Sequence, residues 1–322
     1  LDKEKPEAVS VVVPTKDHKE VVINCLKRKI PTLVEKPIAD TLASASEMLR
    51  QMERSNTVLL VGHIERFNPA VVRLKKLIEK NKFGRIISLL AIRVGIAPPR
   101  MPNSDVALDL AIHDVDVFNF LLDKFPEDKK IIKHSIYGIN QADSASILLE
   151  YGGTTGIIQT NWITPVKMRK LYVTGTDGFA ELDYISQKLV IYEKSFTRNQ
   201  IGNFTELISL SHVPKKYEYI SKKEPLEEEL LFFLKNLSNP KVNRFNLGAF
   251  KALEILLKFL TYSYLILLSL AAIAMLYGYF INERLQDDEY TISRWLLGIA
   301  QSPIICLILI ASEKLYPKST AS

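Results

Sequence analysis

Thr32-Leu33-Val34-Glu35-Lys36-Pro37-Ile38-Ala39-Asp40 passes abruptly from an apolar run to an acid, a base and a proline. Thr32-Leu33-Val34 reads as a short strand with buried faces, and the charged residues mark where it gives way to a loop. In an open α/β sheet, chemistry collects at such carboxyl ends of strands. Proline offers no ladder donor and confines the residue before it to an extended conformation, so the backbone at Lys36 is held and its amine can be aimed. The residues by themselves equally allow a solvated Glu-Lys pair before a turn.

The flanking sequence decides between these. Upstream, Val9-Ser10-Val11-Val12-Val13 is a β-branched strand, Pro14-Thr15-Lys16-Asp17-His18 a turn, and a helix runs to about Lys29. Downstream, Asp40 caps a helix to about Ser55, and Thr57 to His63 is a third strand leading into Ile64-Glu65-Arg66-Phe67-Asn68-Pro69. Strand and helix in alternation build a parallel sheet with right-handed crossovers. With a Pro-Thr-x-x-His turn, then Glu-Lys-Pro, then Gly62-His63-Ile64-Glu65-Arg66-Phe67-Asn68-Pro69, the chain resembles the Gfo/Idh/MocA oxidoreductases.

The chain of 322 residues is 47% hydrophobic, enough for two or three domains with cores. Its formal charge of +6 comes from bases scattered among acids, with no aromatic-interleaved basic stripe, which argues against nucleic acid. Two cysteines, Cys25 and Cys306, give neither a disulfide framework nor a metal pair, and no metal is expected. Leu1 to Glu7 is charged and has no signal-peptide core. None of the thirteen glycines forms the Gly-x-Gly-x-x-Gly turn with which the family cradles the cofactor pyrophosphate. The resemblance therefore implies a partial Rossmann domain, the second half of a doubly wound sheet, over residues 1–68. It also leads to the expectation that this chain alone binds NAD or NADP poorly and exposes Val9 to Val13 as an open edge.

Asn68 to about Lys80 is an amphipathic helix, and Ile86 to Gly95 a strand of a second sheet. Arg93 and Arg100 flank Ile96-Ala97-Pro98-Pro99, and their guanidinium forks suit a charged substrate, although surface arginines commonly bind none. In Asp109-Leu110-Ala111-Ile112-His113-Asp114-Val115-Asp116, a helix brings Asp109, His113 and Asp116 to one face, so an acid can orient a histidine. On those residues alone, His113 is either a capped or solvated histidine or a catalytic one. Beyond Asp123, period-two segments from Ile131 to Glu193, with turns at Gly152-Gly153 and at Gly175 to Gly178, read as an open antiparallel sheet. Leu226 to Leu237 and Leu247 to Phe259 read as helices; Lys194 to Lys223 has no clear pattern.

The expected organisation is thus 1–68, a nucleotide-binding part; 69–259, an α+β substrate and oligomerisation domain; and 260–322, a membrane tail. Leu260 to Ile281 has no charged residue and is long enough to cross a bilayer of about 30 Å, with Trp295 to Ala311 a second span. Lysines on both sides and an acidic connection put both termini in the cytoplasm, the body anchored to the inner membrane; two buried helices of a soluble domain are the alternative.

The resemblance implies oxidation of a hydroxyl on a sugar or nucleotide sugar, with UDP-N-acetylglucosamine 3-oxidation the closest subgroup. Lys36 would be base or proton relay, His113 its partner and Asp109 the orienter. Pro14, Thr15, His18, Glu35 and Lys36 would face NAD(P), and Arg66, Asn68, Arg93 and Arg100 the substrate. A homo-oligomer through the open sheet is implied as well. A cofactor-free remnant of dehydrogenase shape is the competing expectation.

Overall fold

The computed structural model describes residues 1–96, 105–137, 142–193, 215–244 and 246–257. The expected membrane hairpin over 260–311, Cys306 and Arg100 lie outside the described residues. Among the described residues no helix is long and apolar enough to cross a membrane.

The first sheet is parallel, in the order β1 (Val9–Val11), β2 (Thr32–Glu35), β3 (Leu59–Gly62). Helix α1 (His18–Lys27) follows a 3-10 turn at Thr15–Asp17 and connects β1 to β2. Helix α2 (Leu42–Ser55) connects β2 to β3, and α1 packs on α2. Thr41, one residue past the expected Asp40, caps α2 by accepting from the Ser44 amide at 3.1 Å. The helix stops where Asn56 turns left-handed at φ 49°. Successive strand residues face opposite ways, and Leu33, Val34, Leu60 and Val61 are all buried, so both faces of the sheet are covered. One side takes a cluster of Leu33, Val58 and Leu60 with Phe233 of α5 (Pro225–Lys235) and Val242. β3 is closed by side chains in place of a strand. Asn243 accepts from the Leu59 amide and donates to Thr57 O, both at 3.0 Å, and Asn246 of α6 (residues 246–257) donates to Leu59 O at 2.7 Å.

Helix α3 (Pro69–Glu79), capped by Asn68, leads to the second sheet. Its strands are β4 (Ile86–Val94), β5 (Asp128–His134), β6 (Ser144–Glu150), β7 (Thr155–Asn161), β8 (Met168–Gly175), β9 (Gly178–Asp183), β10 (Lys188–Glu193) and β11 (Lys215–Tyr217). Their order is β11-β10-β9-β8-β4-β7-β6-β5. The sheet is mixed rather than wholly antiparallel, because β4 enters between β8 and β7 and runs parallel to β7. Its inner face is covered by α4 (Ile112–Leu122), and Gly156 of β7 is what lets the helix approach: a Cβ there would stand 2.8 Å from Phe118 Cδ2. Its outer face leaves Ile132, Leu148 and Ile157 exposed.

Candidate active site

The site forms where the carboxyl end of β2 meets the start of α4. Lys36, the first residue past β2, donates from Nζ to Asp109 O at 2.8 Å and to Asp109 Oδ1 at 3.1 Å, a contact across 73 residues of sequence. Asp109 stands in a π-turn, Ala107–Ala111, directly before α4. The expectation that Asp109 orients His113 is therefore corrected: its carboxylate goes to Lys36, the nearest cation. His113 Nδ1 is buried with no hydrogen-bond partner. Burial, and then the charges of Lys36, Arg93, His63 and Arg169, hold His113 well below its ordinary pKa, so the imidazole is neutral at neutral pH.

The loop carrying Lys36 is pinned by His18. Its Nδ1 faces Pro37 O at 3.1 Å and its Nε2 faces Val13 O at 2.9 Å, joining the turn after β1 to the loop after β2. His18 is buried with both nitrogens against backbone, and so it shapes the site. Pro14 is exposed, and Thr15, Glu35 and Lys36 are partly exposed at the carboxyl ends of β1 and β2. Glu35 Oε2 accepts from the Lys36 amide at 3.2 Å.

Three of the four arginine and asparagine side chains expected to meet substrate are engaged within the protein. Arg93 is 5% exposed; it forks onto Asp114 at 2.7 and 3.0 Å, reaches Glu65 Oε1 at 3.1 Å and lies 4.9 Å over the Tyr184 ring. Burial opposes its charge, but Asp114 and Glu65 more than offset that and hold Arg93 firmly protonated. Arg66 forks onto Asp116 with both contacts at 2.6 Å. Asn68 accepts from Ala70 N at 3.1 Å and donates to Tyr184 O, also at 3.1 Å. These pairs fasten α4 and β4 to the segment after β3, and so fix Asp109 and His113 opposite Lys36.

Two residues were not marked by sequence. His63 follows β3, buried, with neither nitrogen hydrogen-bonded and Nδ1 3.7 Å from Asp116 Oδ2. Burial above all pushes it down to about 4, with Arg66 and Lys36 adding to the shift and Asp116 opposing it. Arg169, at the start of β8, pairs across the sheet with Arg93, a register that no local sequence signal shows. An apolar cavity of about 200 Å³ lies among Phe67, Phe120, Phe232 and the turn after His63; Lys36 does not line it. Among the described residues no cluster of His, Cys, Asp and Glu could hold a metal.

Residues 1–63 match the family model described as the oxidoreductase family, NAD-binding Rossmann fold, and residues 71–181 match the GFO/IDH/MocA C-terminal domain. The chain belongs to the GFO/IDH/MocA oxidoreductase family. Among its relatives, UDP-N-acetylglucosamine 3-dehydrogenase of Acidithiobacillus ferrooxidans is 28% identical over 189 residues, which is 58% of this chain and 59% of that protein. Inositol 2-dehydrogenase of Mycolicibacterium smegmatis is 32% identical over 120 residues, 37% of this chain and 35% of that one. The matches thus span between about a third and three fifths of these two relatives' lengths. In solved structures, the same Acidithiobacillus enzyme aligns with a TM-score of 0.67 at 23% identity, over 79% of this chain and 78% of that one. Levoglucosan dehydrogenase in complex with NADH and levoglucosan aligns at 0.62 and 17% identity, over 77% of each chain. At these identities the structural likeness establishes the GFO/IDH/MocA fold.

Proposed function

We propose that this chain is an NAD(P)-dependent dehydrogenase acting on a secondary hydroxyl of a sugar or nucleotide sugar. The observation that carries the reading is the Lys36–Asp109 contact with neutral His113 beside it, a proton-handling group built from both halves of the molecule. The residues present fit the nicotinamide end of the cofactor, since Pro14, Thr15, Glu35 and Lys36 are all accessible at the carboxyl ends of adjacent parallel strands. Bound NAD(P) would supply the carbon that accepts hydride. The remaining work belongs to this chain. Lys36 Nζ meets the substrate hydroxyl and relays its proton, passing one of its own to His113 as it takes up that of the hydroxyl; Asp109 holds the amine in place, and His113, uncharged and with Nδ1 unpartnered, is the final proton acceptor. Relatives acting on UDP-N-acetylglucosamine and on inositol support this class of substrate.

The uncharged stretch from Leu260 to Ile281 supports a membrane tether, tested by fractionating the whole chain against residues 1–259. The exposed apolar outer face of the second sheet supports association of two or more copies. The other reading is a cofactor-free protein of dehydrogenase shape. Calorimetric titration with NAD and NADP separates the two. Saturable binding supports the dehydrogenase, and none at millimolar cofactor supports the other.

A further inference from the structure

Arg169 is the one arginine of the site's charged cluster for which the described residues provide no carboxylate. Arg93 has Asp114 and Glu65, Arg66 has Asp116, and Lys36 has Asp109. Arg169 instead donates from Nη1 to two backbone oxygens, Val94 O at 2.7 Å and Met168 O at 3.0 Å. That fixes the guanidinium while leaving its Nε–Nη2 edge, the edge that forks onto an oxyanion, without a hydrogen-bond partner among the described residues.

Its placement is equally specific. Arg169 lies directly across from Arg93 in the β4–β8 ladder, so both side chains stand on the inner face with Leu171 and Val173. It sits at the end of the sheet from which β4 leaves toward Asp109 and α4. Its charge is felt by His113, and it in turn feels Asp109. Half-burial and the neighbouring Arg93 charge both disfavour its own charge, so a ligand anion placed there relieves a repulsion that the protein's acids do not cancel.

We propose that Arg169 reads an oxyanion on the substrate, a carboxylate or a phosphate oxygen, and so selects charged sugars over neutral polyols. This rests on the dehydrogenase reading of the same site and narrows its substrate class from any sugar hydroxyl to those of sugar acids, sugar phosphates or nucleotide sugars. Arg169 is then a specificity-determining residue; proton transfer stays with Lys36 and His113.

The test is calorimetric binding to the full chain of glucuronate, glucose 6-phosphate and UDP-N-acetylglucosamine, against methyl glucoside and myo-inositol. Wild type, Arg169→Gln and Arg169→Lys are compared. At least one anionic ligand should bind about tenfold or more tightly than the neutral ones. Arg169→Gln should remove that preference while leaving neutral ligands within about threefold, and Arg169→Lys should restore part of it through charge without the fork. Carboxylate and phosphate arms identify which oxyanion is read. Equal affinity for both classes in wild type, no binding of either, or an equal loss on both in Arg169→Gln would overturn the proposal; the last result marks a purely structural arginine. Anion selectivity without cofactor reduction would sink the dehydrogenase reading and leave the anion site standing. Reduction with no anion preference would do the reverse.

Discussion

His63 and Glu229 are buried with unsatisfied atoms, and they tie stability to pH in opposite senses. His63, at about 4 in the fold against an ordinary 6.5, binds its proton more readily in the unfolded chain. Between those pH values the unfolded chain carries more protons, so its contribution is full above pH 6.5 and is lost as pH falls toward 4, by up to about 1.4 kcal/mol per pH unit. Burial first, then Glu35 and Glu224, push Glu229 up to about 8 from 4.5. The folded chain therefore holds the extra proton, and that contribution is full below pH 4.5 and lost as pH rises toward 8. Below pH 6.5 the slope from Glu229 opposes those from His63 and from His113, whose pKa burial also lowers; above it the slope from Glu229 stands alone. Denaturant midpoints should therefore decline between pH 6.5 and 8, and Glu229→Gln should flatten that decline. His63→Leu should leave the decline above pH 6.5 in place but lessen the loss of stability as pH drops from 6.5 to 4.5, where His113 alone then opposes Glu229. Profiles parallel to wild type in both variants would contradict this account.

At the scale of elements, α4 carries the site because β7 lets it come close. Gly156→Ala would press a methyl group against Phe118 and the Tyr151 ring, 2.8 and 3.2 Å from the new carbon. Overpacking of this kind costs about 1–3 kcal/mol. It should also push the head of α4 from Lys36 and lower kcat more than it raises KM; a variant of wild-type stability and kcat would show that the close approach is dispensable. The elements themselves were legible, because alternation and helical periodicity are local properties of sequence. β4 was read as a strand, but nothing local says that it slots between β7 and β8 and turns an antiparallel sheet into a mixed one. Helical spacing put Asp109 and His113 on one face, yet it could not show that Asp109 stands in a π-turn or that Lys36, far away in sequence, takes the Asp109 carboxylate. Arg66 and Arg93 looked like ligand forks for the same reason: their acids, Asp116 and Asp114, lie 50 and 21 residues distant.

At the scale of the whole molecule, the outer face of the second sheet sets Leu148 beside Ile157 across the β6–β7 ladder, both exposed. Leu148→Asp with Ile157→Lys should shift light-scattering mass to the monomer without changing the fold; an unchanged mass would remove this face as an interface. The succession of a parallel sheet and a second sheet was legible from sequence, and Glu35-Lys36-Pro37 and the Asp109–His113 segment mark the element ends that the Lys36–Asp109 contact joins. The central claim is that Lys36 moves the hydroxyl proton at this junction. It is tested most directly by comparing cofactor reduction by the full chain and by Lys36→Met, on whichever sugar or nucleotide sugar wild type oxidises, with NAD(P) affinity measured in parallel. The account predicts a loss in kcat of about a hundredfold or more with cofactor affinity within about threefold. Turnover in Lys36→Met within about threefold of wild type, or no reduction of cofactor by wild type on any such substrate, would contradict it.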